Sequence, residues 1–85
     1  HKEGFFMIKL HISNIDSFFE TVNECNGSVN VIDANGNSTN IAHQIFEQRK
    51  LYKAYYQNKK CLDLCLNIPD PSDYFKIVSY YAGDC

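Results

Sequence analysis

Two stretches of the chain alternate apolar and polar residues, which is the pattern of a strand with one buried face. In residues 5–12, one face of the predicted strand carries Phe6, Ile8, Leu10 and Ile12. The same period of two returns later at Leu62, Leu64 and Leu66. Because successive side chains of a strand point to opposite faces, we expect His11 on a solvent-exposed face. We therefore predict strands over residues 5–12 and 62–68.

The segment between these strands predicts a hairpin. A strand over residues 28–33 would place two valines on one face. The dipeptide Asn35-Gly36 is a strong turn signal, because a two-residue hairpin turn needs positive φ at both positions. The return strand, residues 37–41, is polar, as is typical of a strand at the edge of a sheet.

Helical spacing follows the first strand, at Ile15, Phe18, Phe19 and Val22. Ser13 and Asn14 offer side-chain oxygens that can cap a helix, and Asp16 suits the positive end of the helix dipole. The sequence predicts a helix over residues 14–25 that ends at the Asn-Gly pair 26–27.

A second helix is predicted after Asn40, which can cap it, and it carries Ile45, Phe46, Gln48, Tyr52, Tyr55 and Tyr56. The apolar pattern drifts, which predicts a break near Lys50, and residues 58–60 close the helix. A third helix is predicted after Asp70, with Pro71 at its first position and Gly83 at its end. Its apolar stripe consists of Tyr74, Ile77, Val78 and Tyr81.

The order of elements is β-α-β-β-α-β-α, which indicates the α+β class. Alternating strands favour an antiparallel sheet with the helices on one face and solvent on the other. A chain of 85 residues fits a single domain, residues 1–85, with a thin core.

Charge and hydropathy exclude several functions. The net charge is −2, the pI is about 5.8 and Arg49 is the only arginine, so we expect no binding of nucleic acid. The basic residues around Arg49 are interpreted as solvated. Because no apolar run approaches about 20 residues and no signal peptide is visible, we expect no membrane span and a cytoplasmic location.

The cysteines have no spacing typical of a metal site or a disulfide framework; they are Cys25, Cys61, Cys65 and Cys85. They are interpreted as free thiols in a reducing compartment. Cys25 is not expected to be a nucleophile, because the end of a helix raises the pKa of a thiol. We expect no metal and no cofactor.

This order of elements resembles the HPr family, the histidine-containing phosphocarriers of the bacterial sugar phosphotransferase system. Residues 28–32 and the turn 35–38 resemble the second strand and hairpin of that family, and residues 42–46 resemble the approach to its second helix. Residues 62–68 and 70–82 are similar to its last strand and final helix. The resemblance implies an open-faced β-sandwich with four antiparallel strands and three helices on one face.

In the HPr family, a histidine at the start of the first helix accepts phosphate, and a nearby arginine assists. Here Asn14 stands near the histidine position and Asp16 stands where the arginine would be. Gln44 occupies the place of the regulatory serine that many family members carry. Asparagine is no nucleophile and a carboxylate repels phosphate, so we predict a protein that is not an enzyme. Asn14 is then part of a binding surface rather than a phosphate acceptor.

Two groups of residues remain as candidates. His11 is the one histidine that could accept phosphate if the loop before the first helix were rearranged; otherwise it is an exposed strand residue. The long second helix carries a predicted partner-binding patch at Phe46, Leu51, Tyr52 and Tyr55, because tyrosine suits binding surfaces.

We favour a binding module that contacts phosphotransferase-system or regulatory proteins, over an active phosphocarrier that uses His11. A ferredoxin-like domain of unrelated function has a similar order of elements and stays open as a third interpretation.

Overall fold

The computed structural model describes residues 6–84, with side chains for residues 7–80. Its four strands are β1 (Phe6–Ile12), β2 (Asn30–Ile32), β3 (Ser38–Asn40) and β4 (Leu62–Ile68). They form one sheet in the order β1-β4-β2-β3, and every neighbouring pair is antiparallel. The long pair in the sheet, β1 with β4, sets Phe6 opposite Ile68 and Ile12 opposite Leu62.

The helices are α1 (Ile15–Asn23), α2 (Ile45–Gln57) and α3 (Pro71–Asp84). The order of elements is β-α-β-β-α-β-α, so the predicted α+β class and topology are confirmed. Phe5, which the prediction included in the first strand, and Cys85 lie outside the described residues.

One face of the sheet and the inner faces of the helices share the core. Its buried apolar residues are Leu10, Ile12, Ile15, Phe18, Phe19, Val22, Cys25, Val29, Ile41, Ala42, Tyr55, Leu64, Leu66, Ile68 and Ile77. The opposite face of the sheet is open, with Lys9, His11 and Asp63 exposed. The alternation in β1 and β4 therefore sorts side chains between core and solvent as predicted.

The hairpin exists, but its loop is longer than the predicted two residues. The backbone N–H of Gly36 donates to the Asp33 carbonyl, and the N–H of Asp33 donates to Asn37, both at 3.0 Å. Gly36 has φ +86°, whereas Asn35 does not adopt positive φ. A three-residue loop with glycine last fits this geometry. The Asp33 carboxylate stabilises it by accepting from the N–H groups of Asn35 and Asn37.

Helix α1 begins as predicted and ends early. The side chain of Asn14 accepts from the backbone N–H of Ser17 at 3.1 Å, which satisfies one of the free donors of the first turn. The helix stops at Asn23, before the predicted residue 25. The chain then turns because the buried carboxylate of Asp73 in α3 accepts from the N–H groups of the next two loop residues, 26 and 27.

Two details predicted for α2 are wrong. Asn40 does not cap the helix: its side-chain oxygen accepts from the N–H groups of Val29 and Ala42 and so joins β3 to the start of β2. The capping residue is Gln44, whose side chain makes no capping hydrogen bond. No break occurs at Lys50, because the inner face of the helix stays packed along its length.

The end of α2 and the start of α3 were predicted correctly, whereas the end of α3 was not. Helix α2 ends at residues 58–60 as predicted, and Lys59 and Lys60 adopt positive φ of 59° and 62°. Asp70 caps α3 as predicted by accepting from the N–H of Ser72 at 2.8 Å. Gly83 does not end α3, which continues to Asp84. Glycine tolerates helical dihedral angles, so it does not stop a helix by itself.

Candidate functional site

The first turn of α1 carries no histidine and no basic side chain. Asn14 directs its side-chain oxygen at the N–H of Ser17, so this amide is already used as the helix cap. The next polar side chain in the turn is the exposed carboxylate of Asp16. The helix N-terminus therefore carries the negative group that stabilises it, and a second anion there would meet like charge.

Tyr52 joins α2 to this turn. Its hydroxyl donates to the Asp16 carboxylate at 2.5 Å, and its ring lies 5.1 Å from that of Phe19. The hydrogen bond to Asp16, followed by burial, raises the pKa of Tyr52 to about 12. The contact thus requires the protonated phenol and fixes α2 against the first turn of α1.

Tyr55 lies in the core rather than on the surface. Only 6% of the residue is exposed, and its hydroxyl donates to the backbone carbonyl of Ser13 at 2.6 Å. Leu51 is half-buried and packs against the same core. These two members of the predicted patch therefore hold α2 in place, whereas Tyr52 is shared between surface and core.

Phe46 is the member of the predicted patch that the structure places fully on the surface, with 76% of the residue exposed. Ile45, which the predicted patch did not include, is 63% exposed beside it. Its signal in the sequence was an apolar residue directly adjacent to Phe46 at the start of a helix whose apolar pattern drifts. The first turn of α2 therefore presents two apolar side chains to solvent.

A groove of about 330 Å³ lies where the end of α1 meets this turn, lined by Asn23, His43, Ile45 and Gln48. The buried Gln48 amide donates to the Asn23 side chain and to the Ile41 carbonyl, both at 2.8 Å. His43 has a positive φ of 61°, and its N–H donates to Asn23 at 3.0 Å. These hydrogen bonds connect the end of α1 to the start of α2 at the groove.

His11 lies on the open face of the sheet, as predicted. Its Nδ1 is 2.6 Å from the carboxylate of Asp63, the residue directly opposite on β4. Both side chains are exposed, by 62% and 79%. They line a depression of about 500 Å³ together with Lys9, Ile32 and Cys65, among others. The Asp63 contact directs the imidazole across the sheet.

The thiols among the described residues are free: Cys25, Cys61 and Cys65. Burial, followed by the nearby charge of Asp73, raises the pKa of Cys25 to about 11. The predicted direction of this shift is confirmed, although burial rather than the helix dipole is its main cause. Cys25 is therefore a protonated core residue at neutral pH.

Residues 6–84 contain no group of three or more His, Cys, Asp or Glu side chains placed to hold a metal ion. Within the same part of the chain, no helix is both long and apolar enough to cross a bilayer.

Comparisons with protein-family models, curated proteins and solved structures found no match to this chain. Membership of the HPr family therefore stays a prediction from the pattern of elements. The function has to be argued from the side chains at the start of α1, the first turn of α2 and the open face of the sheet.

Proposed function

We propose that the chain is a non-catalytic protein-binding module on an HPr-like scaffold, related to the phosphoenolpyruvate-dependent sugar phosphotransferase system. One observation carries the proposal: at the start of α1, the Asn14 amide caps the helix and the Asp16 carboxylate binds Tyr52. The amide is not a nucleophile toward phosphorus, and the carboxylate accepts from the Tyr52 hydroxyl and carries the same sign of charge as a phosphate.

Electrostatics support the absence of phosphotransfer at this place. A phosphate at the start of a helix is stabilised by free N–H groups and by cations. Here the Asn14 oxygen accepts from the N–H of Ser17, and the charged side chain of the first turn is Asp16. A dianion would be repelled at a site that already holds a carboxylate.

The binding surface of the module is the first turn of α2. Ile45 and Phe46 expose apolar side chains on a helix that the Tyr52 and Tyr55 hydroxyls hold against α1 and the loop before it. A helix that is held in place before binding loses little further backbone entropy when a partner covers it. The partner classes we propose are phosphotransferase-system components and regulatory proteins.

The absence of phosphotransfer is tested by incubating the purified chain with the general kinase component of the phosphotransferase system and labelled phosphoenolpyruvate. We expect no acid-labile label on the chain, while an authentic phosphocarrier in a parallel reaction is labelled. Acid-labile label on this chain would overturn the non-catalytic assignment.

Binding is tested by measuring affinity for purified phosphotransferase components with Phe46→Ser and with Phe75→Ser as the matched control. Phe75 is 65% exposed on α3, so both variants remove an exposed ring at similar cost to folding. We expect Phe46→Ser to weaken binding at least about tenfold, since a central aromatic side chain is worth 1.4 kcal/mol or more, and Phe75→Ser to leave it unchanged. Failure of the native chain to bind any component would remove the link to this system.

A second candidate function, an active phosphocarrier, is favoured by the His11–Asp63 contact. A carboxylate on Nδ1 fixes the tautomer and leaves the Nε2 lone pair as the nucleophile. Nε2 would attack the donor's phosphorus, the bond between phosphorus and the donor would break, and Asp63 would hold the proton on Nδ1. Label that is present in the native chain and absent from His11→Ala would establish this function in place of the first.

A further inference from the structure

The solvent faces of α1 and α2 carry opposite charges. On α1 and its C-terminal capping residue, exposed carboxylates recur at every fourth residue, at Asp16, Glu20 and Glu24. Like charges at this spacing destabilise a helix unless something offsets them. Helix α2 and the turn after it hold five of the eight basic residues of the chain: Arg49, Lys50, Lys53, Lys59 and Lys60. Among the described residues, only Lys50 of these five forms an ion pair, with Glu47 at 3.4 Å.

The two helices lie side by side and antiparallel. The first turn of α1 contacts the second half of α2 through Asp16 and Tyr52. The last residue of α1, Asn23, contacts the first part of α2 through Gln48. Ile45 lies on the side of α2 that faces α1, because it lines the groove that contains Asn23. A negative strip, formed by Asp16, Glu20 and Glu24, therefore runs next to a positive strip, formed by Arg49, Lys50 and Lys53.

We propose that this face binds a second copy of the chain about a twofold axis that runs parallel to the two helices and between them. That rotation lays α1 of each copy on α2 of the other, so that acidic and basic side chains meet twice. A surface that pairs with itself in this way gives a closed dimer. A twofold axis across the helices would instead set α1 on α1, with like charges opposed.

Apolar side chains add to the match. Ile45 lies at the boundary between the strips, where the axis passes, so the two copies of Ile45 approach one another. Phe46, 76% exposed in the same turn, becomes covered by the end of α1 of the second copy. The dimer therefore buries the two exposed apolar side chains of this turn while it neutralises both charged strips, so the second copy competes for this turn with the partner proteins proposed above.

The first test is sedimentation equilibrium of the purified chain at two salt concentrations. We expect a dimer at about 0.02 M salt and an affinity of the dimer that is at least tenfold lower at about 0.5 M salt, because exposed charges are screened. A chain that stays monomeric in low salt at protein concentrations up to about 1 mM would overturn the proposal, because its dissociation constant would then be weaker than about 1 mM.

The second test exchanges the charges. Glu20→Lys with Glu24→Lys makes both helices positive, and Arg49→Glu with Lys53→Glu makes both negative. We expect each variant alone to be monomeric and an equimolar mixture to form a heterodimer. Circular dichroism checks that the variants fold, and the single changes Glu24→Lys and Lys53→Glu are measured in the same way.

A control separates this geometry from the effect of net charge. Lys59→Glu with Lys60→Glu alters the net charge as much as the reversal on α2, but beyond the end of the helix. We expect this variant to form a homodimer like the native chain and to bind the Glu20→Lys, Glu24→Lys variant at least tenfold more weakly than the Arg49→Glu, Lys53→Glu variant does, because only one of the two contacts between α1 and α2 is then matched. Equally tight association of the two pairs, or dimers that persist in both reversals of α1 and α2, would contradict the proposed interface.

Discussion

The carboxylate of Asp73 is fully buried in α3 and accepts hydrogen bonds from the backbone N–H groups of Asn26 at 3.0 Å and Gly27 at 2.7 Å. Gly27 suits this contact, since a Cβ there would lie 3.3 Å from the carboxylate. One side chain thus closes the loop between α1 and β2 and attaches it to α3.

Asp73→Asn replaces one carboxylate oxygen with an amide that cannot accept. We expect the free energy of unfolding in urea to fall by about 1–3 kcal/mol, because a part-buried N–H loses its carboxylate acceptor. The control is Asp63→Asn, which alters an exposed carboxylate and should cost less than about 1 kcal/mol. Equal effects of the two changes would mean that the hydrogen bonds of Asp73 contribute no more to stability than an exposed carboxylate does.

Tyr52 makes the free energy of unfolding depend on pH in the alkaline range. The folded protein holds the phenol proton more tightly than the unfolded chain, so the contribution is complete below pH 10 and is lost as pH rises through about 12. Tyr52→Phe should lower stability by about 1 kcal/mol at neutral pH, a value reduced for solvent screening. Urea unfolding from pH 9 upward should show the difference in unfolding free energy between the native chain and Tyr52→Phe becoming smaller. A difference that stays constant would argue against the Asp16 contact.

At the scale of elements, α1 depends on one cap. Asn14→Ala removes the acceptor for the N–H of Ser17 and should cost about 1 kcal/mol of unfolding free energy. Ser13→Ala is the matched control, because both residues were candidate caps in the sequence and the structure uses Asn14. We expect the control to change stability by less than about 0.5 kcal/mol in thermal unfolding. A larger loss of stability from Ser13→Ala than from Asn14→Ala would mean that Ser13, not Asn14, caps the helix.

Elements whose signal is local could be predicted from the sequence, whereas ends that depend on residues distant in the chain could not. Strands β1 and β4 could be predicted because apolar and polar residues alternate within each segment. The early end of α1 depends on Asp73, which lies far along the chain, and Asn40 serves β2 rather than the helix after it. Such contacts are invisible until the fold brings them together.

The candidate site was predicted in part for the same reason. His11 was placed correctly on the exposed face by alternation alone, but its partner Asp63 follows only from the pairing register. The sequence could not show which aromatic residues of α2 are buried, because helical spacing does not distinguish between Phe46, Tyr52 and Tyr55. The structure buries Tyr55 and exposes Phe46.

At the scale of the whole molecule, one thin core serves all the elements. Ile77 of α3 is fully buried in it, two residues after the exposed Phe75. Ile77→Ala should lower the free energy of unfolding by about 3 kcal/mol through lost burial and a residual cavity, whereas Phe75→Ala should cost less than about 0.5 kcal/mol. Chemical denaturation of both variants checks this, and similar losses would mean that α3 packs through its other side.

The pairing of β1 with β4 sets residue 6 beside residue 68. During synthesis on the ribosome, β1 therefore has no neighbour in the sheet until β4 has been made. At translation rates of about 5–20 residues per second, that delay is roughly 3–12 s. For that time the nascent chain carries an apolar strand with unpaired edges, so we expect chaperones that recognise extended apolar segments to raise its yield most when translation is slow.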